Sequence, residues 1–235
     1  MKLKALPILV ILIAACSGNA DVQETQAPTP APAFTATVAA EDPQEEPTTE
    51  TTAQVEANQS SQFVIQTGSS EARFYIDEVL RGQPKNVEGI TQEVSGGVLI
   101  ESLDPLMVSI QPIEIQAGTL VTDNNFRNRA ISDAILQTGR YPTIVFTPTA
   151  VVGLPNSAEP GQTYSFEVTG DLTIREITQP VTFQVTLTAQ SEDYISGSAS
   201  ATINRTDYEL NIPSVPQVAD VSEQVLLEFD FNANR

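Results

Sequence analysis

This chain predicts an all-β fold: an antiparallel β-barrel of about eight strands with one short helix, preceded by a disordered tether. Three observations predict it. From about Gln62 to the C-terminus, Val, Ile, Thr and Phe dominate, and apolar and polar residues alternate along long runs. Only one segment carries helical spacing. The stretch before Gln62 has almost no large apolar side chains, so it cannot bury enough surface to offset its ordering entropy.

The alternation is clearest in three runs. Tyr164, Phe166, Val168, Gly170, Leu172 and Ile174 share one face, and Ser165, Glu167, Thr169, Asp171, Thr173 and Arg175 share the other. Val181, Phe183, Val185 and Leu187 alternate with Thr182, Gln184, Thr186 and Thr188. Val225, Leu227, Phe229 and Phe231 stand against Gln224, Glu228 and Asp230. Strict alternation over such lengths means antiparallel strands with one wet face. Further strands are expected over 63–66, 72–80, 91–102, 106–117, 143–152 and 194–206. Pro112 switches the register of its run, from Val108 and Ile110 to Ile113 and Ile115, which asks for a bulge or an edge position. Gly96-Gly97 inside a strand marks a sharp bend. Asn124 to Gln137 sets Phe126, Ala130, Ile131, Ala134 and Ile135 at helical spacing, with Asp123 or Asn124 as cap and Gly139 as stop. Strands this long favour a barrel over a sandwich, and about eight of them enclose either packed side chains or one small ligand.

Composition removes whole function classes. A net charge of −19 argues against nucleic acid, whose binders need a basic face, and against docking on anionic lipid through basic patches. Histidine is absent, which excludes Ser-His-Asp and Cys-His nucleophile systems. With Cys16 the single cysteine, no disulfide can form and the usual zinc donors are missing. The acids Asp77, Glu78, Glu88, Glu93, Glu101 and Asp104 fall at turns and strand rims without an acid/base motif, and Gly96-Gly97 is not followed by a helix as a nucleotide loop would be. The expectation is a non-enzyme with no metal and no cofactor.

The N-terminus has its own grammar. Lys2 and Lys4 precede an apolar run from Leu6 to Ile13, which ends Ile13-Ala14-Ala15-Cys16. This ending resembles the lipobox of bacterial lipoproteins, in which the cysteine is acylated and becomes the mature N-terminus. The apolar run is too short to span a bilayer, which needs roughly 20 residues. The expected organisation is a signal peptide over 1–15, a lipidated Cys16 opening an acidic Thr/Pro/Ala-rich linker over 16–61, and a barrel domain over 62–235. In the linker Asp21, Glu24, Glu41, Asp42, Glu45, Glu46, Glu50 and Glu56 face no Lys or Arg. As a flexible coil it would span on the order of 35–40 Å, more with proline and self-repulsion. The expected location is the bacterial cell envelope, lipid-anchored on its periplasmic or extracellular face.

The domain resembles YceI, the polyisoprenoid-binding, lipocalin-like bacterial family, over nearly all of 62–235. The resemblance rests on an ordered set of motifs. Phe63-Val64-Ile65 is followed by Ser70-Glu71-Ala72-Arg73-Phe74-Tyr75-Ile76, and Val94-Ser95-Gly96-Gly97-Val98-Leu99-Ile100 forms a glycine-containing strand. Arg127-Asn128 opens a helix running to Arg140-Tyr141-Pro142-Thr143-Ile144-Val145-Phe146, similar to the family's R-N … YP-x-I-x-F pattern. Val168 to Arg175, Ile177-Thr178-Gln179-Pro180-Val181 and Ile203-Asn204-Arg205-Thr206-Asp207-Tyr208 complete the set. Two departures stand out: no histidine near the second strand, and Glu176 where the family has glycine after the arginine.

The resemblance implies a barrel that holds a long isoprenoid chain inside. The candidate ligand-facing residues are Phe74, Ile76, Ile144, Phe146, Phe166, Val168, Leu172, Phe183 and Val185, with Ala72 beside them and Phe126 on the helix. Filled-core packing produces the same alternation. Arg127, Asn128 and Arg129 begin the helix, where they either meet an anionic or quinone head group or pin the helix to the barrel. Arg205 and Asp207, two apart, read as a local ion pair or hairpin brace. Two function classes follow. One is a membrane-tethered binder of an isoprenoid-type lipid such as a quinone or polyprenyl phosphate. The other is a stalked surface interaction module with a filled barrel and no ligand. The oligomeric state stays open, a dimer included.

Overall fold

The computed structural model describes residues 60–235. The expected signal peptide over 1–15, the lipidated Cys16 and nearly all of the linker over 16–61 lie outside the described residues; the folded part begins one residue before the expected boundary, at Ser61. In chain order the elements are β1 (Ser61–Ile65), β2 (Glu71–Leu80), β3 (Gln83–Thr91), β4 (Val94–Ser95), β5 (Gly97–Leu103), β6 (Leu106–Ile110), β7 (Ile113–Gln116), α1 (Asn125–Arg129), a π-turn over Ala130–Ile135, β8 (Thr143–Val152), β9 (Thr163–Ile174), β10 (Ile177–Ala189), β11 (Tyr194–Asn204), β12 (Val218–Ala219) and β13 (Gln224–Asn234).

Every pairing is antiparallel, and the sheet curls on itself through β7-β8-β9-β10-β11-β13. β13 then forks. Its residues Leu226 to Asp230 pair with β2, which pairs with β3. Its far end, Ala233 and Asn234, pairs with β1, which leads to β5 and β6. The β3 branch returns to the start: Ile90 bridges Val121, and β4, two residues beyond β3, pairs with β7. Counting β3 and β4 as one bent strand, this ring has eight members, in keeping with the expected barrel. The β5–β6 hairpin covers the other end, with the Leu106 amide donating to the Asn156 carbonyl in the β8–β9 connection at 2.8 Å.

The strands form where alternation met a partner of the same period. In β9 and β10 the register sets Val168 opposite Phe183 and Phe166 opposite Val185 on the inner face. On the outer face, three threonine pairs bridge the two strands: Thr163–Thr188, Thr169–Thr182 and Thr173–Thr178, at 2.8 to 2.9 Å. Such cross-strand pairs contribute roughly 0.2–1 kcal/mol each.

Several expectations need correction. The strand expected over 91–102 is three pieces, because Gly96 takes φ 149° and packs its backbone against Pro112 and Ile113, where a Cβ would come within 2.6 Å of Ile113 Cδ1. The run over 106–117 divides at Gln111-Pro112 into β6 and β7, as the proline required. β3 and β12 were not foreseen. The helix expected over Asn124–Gln137 is α-helical only through Arg129. Asn124 caps it, its side-chain oxygen accepting from the Phe126 and Arg127 amides. Beyond that the backbone widens, and the Leu136 amide donates to the Ile131 carbonyl at 2.7 Å, five residues back. This wider turn lets Ile131 and Leu136, unsuited by α-helical spacing to one face, enter the same core cluster. The segment stops at Gln137, with φ 52°, before reaching Gly139.

Arg205 and Asp207 are not an ion pair and do not share a strand face. β11 ends at Asn204, and Arg205–Tyr208 is a 3₁₀ turn. Arg205 donates to the Ser222 and Leu210 carbonyls, while Asp207 accepts from Asn204. At the β9–β10 hairpin the positive φ falls on Arg175, 57°, not on Glu176, so the missing glycine costs the turn nothing there. Arg175 uses that position to donate to the Ile135, Tyr208 and Glu209 carbonyls, fastening the π-turn and the 3₁₀ turn to the barrel end.

Candidate ligand cavity

The inward faces of these strands pack into core clusters and leave two chambers between them that share part of their lining. The first, about 240 Å³, lies on the side closed by the β5–β6 hairpin and the β8–β9 connection. The second, about 480 Å³, lies under α1, the π-turn and the segment from Leu210 to Val221. Phe74, Ile144, Ile174 and Leu227 line both, so they form the waist between them.

The hairpin-side chamber is almost wholly apolar. Its wall includes Phe146, Phe166, Val168, Leu172, Phe183 and Val185, each placed inward by strand alternation. Phe146 and Phe183 meet edge to face with centroids 4.9 Å apart. The Pro112 switch has its purpose here: Val108 and Ile110 before it, and Ile113 and Ile115 after it, all line this chamber. Arg73 and Glu228, opposite each other on β2 and β13, alternate with the inward Phe74 and Leu227 and so turn their side chains to the outer face of this chamber's wall. Arg73 bonds to Glu71 and Asp230 and lies 3.7 Å from Glu88. The bond to Asp230 holds its guanidinium above its ordinary pKa. Beside it Tyr75, partly buried and donating to Glu88, is pushed up to about 12, first by desolvation.

The helix-side chamber has a polar rim. Ile76, Leu80, Val87 and Ile131 line its body, and Glu78, Arg81, Asn124, Arg127 and Gln217 lie at its edge. Arg127 crosses from α1 to β2: its Nη2 donates to Glu78 Oε1 at 2.7 Å, and its Nη1 donates to Asp123 at 2.5 Å. Glu78 is 8 % exposed. A carboxylate that deep is tolerated because it is paired. Asp123 also accepts from Lys85, and that bond, before the one from Arg127, holds its carboxyl below the usual carboxylate range. Arg81 bonds only to the neutral Gln217, at 2.7 Å.

All of the candidate residues except Asn128 and the exposed Arg129 are therefore at the cavity. Phe74, Ile76, Ile144, Phe146, Phe166, Val168, Leu172, Phe183 and Val185 line one or both chambers, and Phe126 and Arg127 line the second. Phe126 sits at its lip, 82 % exposed. Asn128 does not line it. Its side-chain oxygen accepts from the Thr122 amide and hydroxyl, at 2.8 and 2.7 Å, and so braces the approach to α1. Glu78 and the wall from Ile212 to Val221 were missed. Glu78 sits in a readable strand, but its partner is 49 residues away, and the Ile212–Val221 wall has no period to read.

Among the described residues no helix is long and apolar enough to cross a membrane, and no cluster of three or more His, Cys, Asp or Glu is placed to hold a metal ion.

Comparison with known proteins bears on this geometry. A family model described as the YceI-like domain matches residues 63–233. A UPF0312 protein of Pseudomonas putida (strain W619) is 26% identical over 133 residues, covering 54% of this chain and 65% of that protein. Among solved structures, a polyisoprenoid binding domain from Saccharophagus degradans, implicated in plant cell wall breakdown, aligns with a TM-score of 0.57 at 15% identity, over 73% of this chain and 97% of that one. Burkholderia cenocepacia BcnA aligns with a TM-score of 0.55 at 20% identity, over 72% and 99%. At these identities the structural likeness speaks to the fold.

Proposed function

This chain belongs to the YceI-like family, and on that premise we propose that it is a membrane-tethered, extracytoplasmic binding protein that holds a long-chain isoprenoid or similar amphiphile inside its barrel. The observation that carries the proposal is the cavity itself: two neighbouring chambers of about 240 and 480 Å³ that share Phe74, Ile144, Ile174 and Leu227, the first almost wholly apolar and the second apolar with a polar rim. Together they fall within the ~300–1,000 Å³ of small-molecule sites, and their chemistry suits a long apolar chain with one polar end. A filled interaction module would have closed this space with side chains. The likeness to the Saccharophagus degradans polyisoprenoid binding domain supports the same class of ligand.

The tether is the second half of the proposal. Lys2, Lys4, the apolar run and Ala14-Ala15-Cys16 supply an export signal and an acylation site. Two or more acyl chains at Cys16 would anchor the protein stably. The acidic linker would then let the barrel range over the membrane from which it takes its cargo.

Native mass spectrometry of the full chain from a bacterial membrane background, with organic extraction alongside, tests the proposal. A stoichiometric adduct released as a prenyl lipid or quinone is the expected result. A clean protein mass, unchanged after incubation with long-chain isoprenoids, would overturn it.

A further inference from the structure

We infer that the cavity selects an uncharged head group, an isoprenoid alcohol or quinol, over an isoprenoid phosphate, and that Glu78 is the residue that sets this preference. The inference rests on the reading that the cavity holds an isoprenoid and adds which end group it takes.

The partly buried arginine that reaches the cavity, Arg127, is already committed to carboxylates: it gives one arm of its guanidinium to Glu78 and the other to Asp123. Arg73, on the outer face of the other chamber's wall, is surrounded by Glu71, Asp230 and Glu88. Neither site carries excess positive charge. With Lys85 counted, the Glu78–Arg127–Asp123–Lys85 chain is neutral. Arg81 also reaches the second chamber, but it is exposed, so solvent screens its pull on an anion.

A phosphate brings ≈ −1.5 to −2 charge to this rim. To reach Arg127 it must displace Glu78, which would then be buried and unpaired, or sit beside it as a like charge. Neither choice is favourable where water is scarce. An alcohol or quinol meets neither obstacle. Among the described residues, Oε1 of Glu78 is the oxygen engaged by a protein donor, which leaves Oε2 to accept a hydroxyl hydrogen.

The test uses two ligands with the same tail. The full chain in one detergent is titrated with an equimolar mixture of undecaprenol and undecaprenyl phosphate, and adducts are counted by native mass spectrometry. Undecaprenol should dominate by about tenfold or more, one charge conflict's worth of discrimination. Glu78→Gln should move the ratio toward the phosphate, because Arg127 Nη2 no longer faces a carboxylate. Equal or preferential binding of the phosphate by the unaltered chain overturns the inference, as does an unmoved ratio in a folded Glu78→Gln variant. Should Glu78→Gln fail to fold, the ratio in the unaltered chain still decides. Binding of neither lipid would instead overturn the carrier reading beneath it.

Discussion

The two chambers are walled by different kinds of structure. On the hairpin side the wall is mostly strand, presenting apolar side chains at every second position, with Leu120 and the β8–β9 connection at Leu154, Pro155 and Ala158 completing it. On the helix side half of the wall is α1, a π-turn and an irregular segment, held by a few side chains: Arg127 to Glu78, Arg175 to three carbonyls and Arg205 to two, with Asn128 bracing the loop before α1 through Thr122. A sheet wall has its backbone satisfied internally and can be wholly apolar. A lid of loops must find partners for its polar groups, and those partners supply the rim. The difference assigns the ends: the sheet-walled chamber suits a tail, the pinned lid a head group.

The largest effect should come from cutting the strongest pin. Arg127→Ala leaves Glu78 buried without its cation, and the expected loss is about 3–5 kcal/mol of unfolding free energy, read as a lowered urea midpoint. A loss below about 1 kcal/mol would mean that the lid is held elsewhere and that the contrast between the two walls is weaker than drawn. On the sheet side, Leu172→Ala should cost about 2–4 kcal/mol through lost packing alone, with no dependence on salt. The pair of variants separates a wall held by pins from a wall held by burial.

The waist offers a finer test. Gly89 of β3 lies opposite Phe74 of β2, and a Cβ there would fall within 2.0 Å of the Phe74 ring. Gly89→Ala must therefore push that ring, which lines both chambers, toward their junction. The expected cost is about 1–3 kcal/mol, with retention of long isoprenoids reduced more than that of short ones. Equal retention of both would show that the chambers are not used as one channel.

How much of this was readable depends on which wall one asks about. β9, β10, β11 and β13 were legible because each alternates over a long run and its neighbours alternate in register. Their inward faces were therefore legible, as inward faces only. β3 was not, since Gln83, Pro84, Lys85 and Asn86 are poor strand formers, and only pairing with β2 makes them a strand. The helix was half legible: its cap and apolar spacing were plain, but the π-turn exists because Ile131 and Leu136 share one core, which no local pattern states. The rim was least legible. Glu78, Asp123 and Arg127 converge from two elements, and convergence belongs to the tertiary structure. Hollowness itself is a matter of how far apart facing strands stand, and alternation carries no information about that distance.

The smallest effect near neutral pH concerns the lid's own core. Tyr208 is 1 % exposed, its hydroxyl bonds to no protein group, and burial, with Asp207 nearby, pushes its pKa up to about 12. The unfolded chain releases this proton near pH 10, whereas the folded chain holds it to about 12. Below the lower value both states are protonated and the group has no influence on pH dependence. Between the two values the unfolded state binds fewer protons, so stability falls as pH rises, and above the higher value the decline stops. The urea midpoint should therefore be flat in pH until about 10 and then decline. Tyr75, also shifted to about 12, contributes to the same window, so the assignment needs Tyr208→Phe and Tyr75→Phe measured separately. Tyr208→Phe should remove the larger share, because Tyr208 is the more deeply buried of the two. If Tyr75→Phe alone flattened the profile, the alkaline weakness would lie in the carboxylate network of the sheet, and the helix side would no longer be the more pH-sensitive half of the barrel.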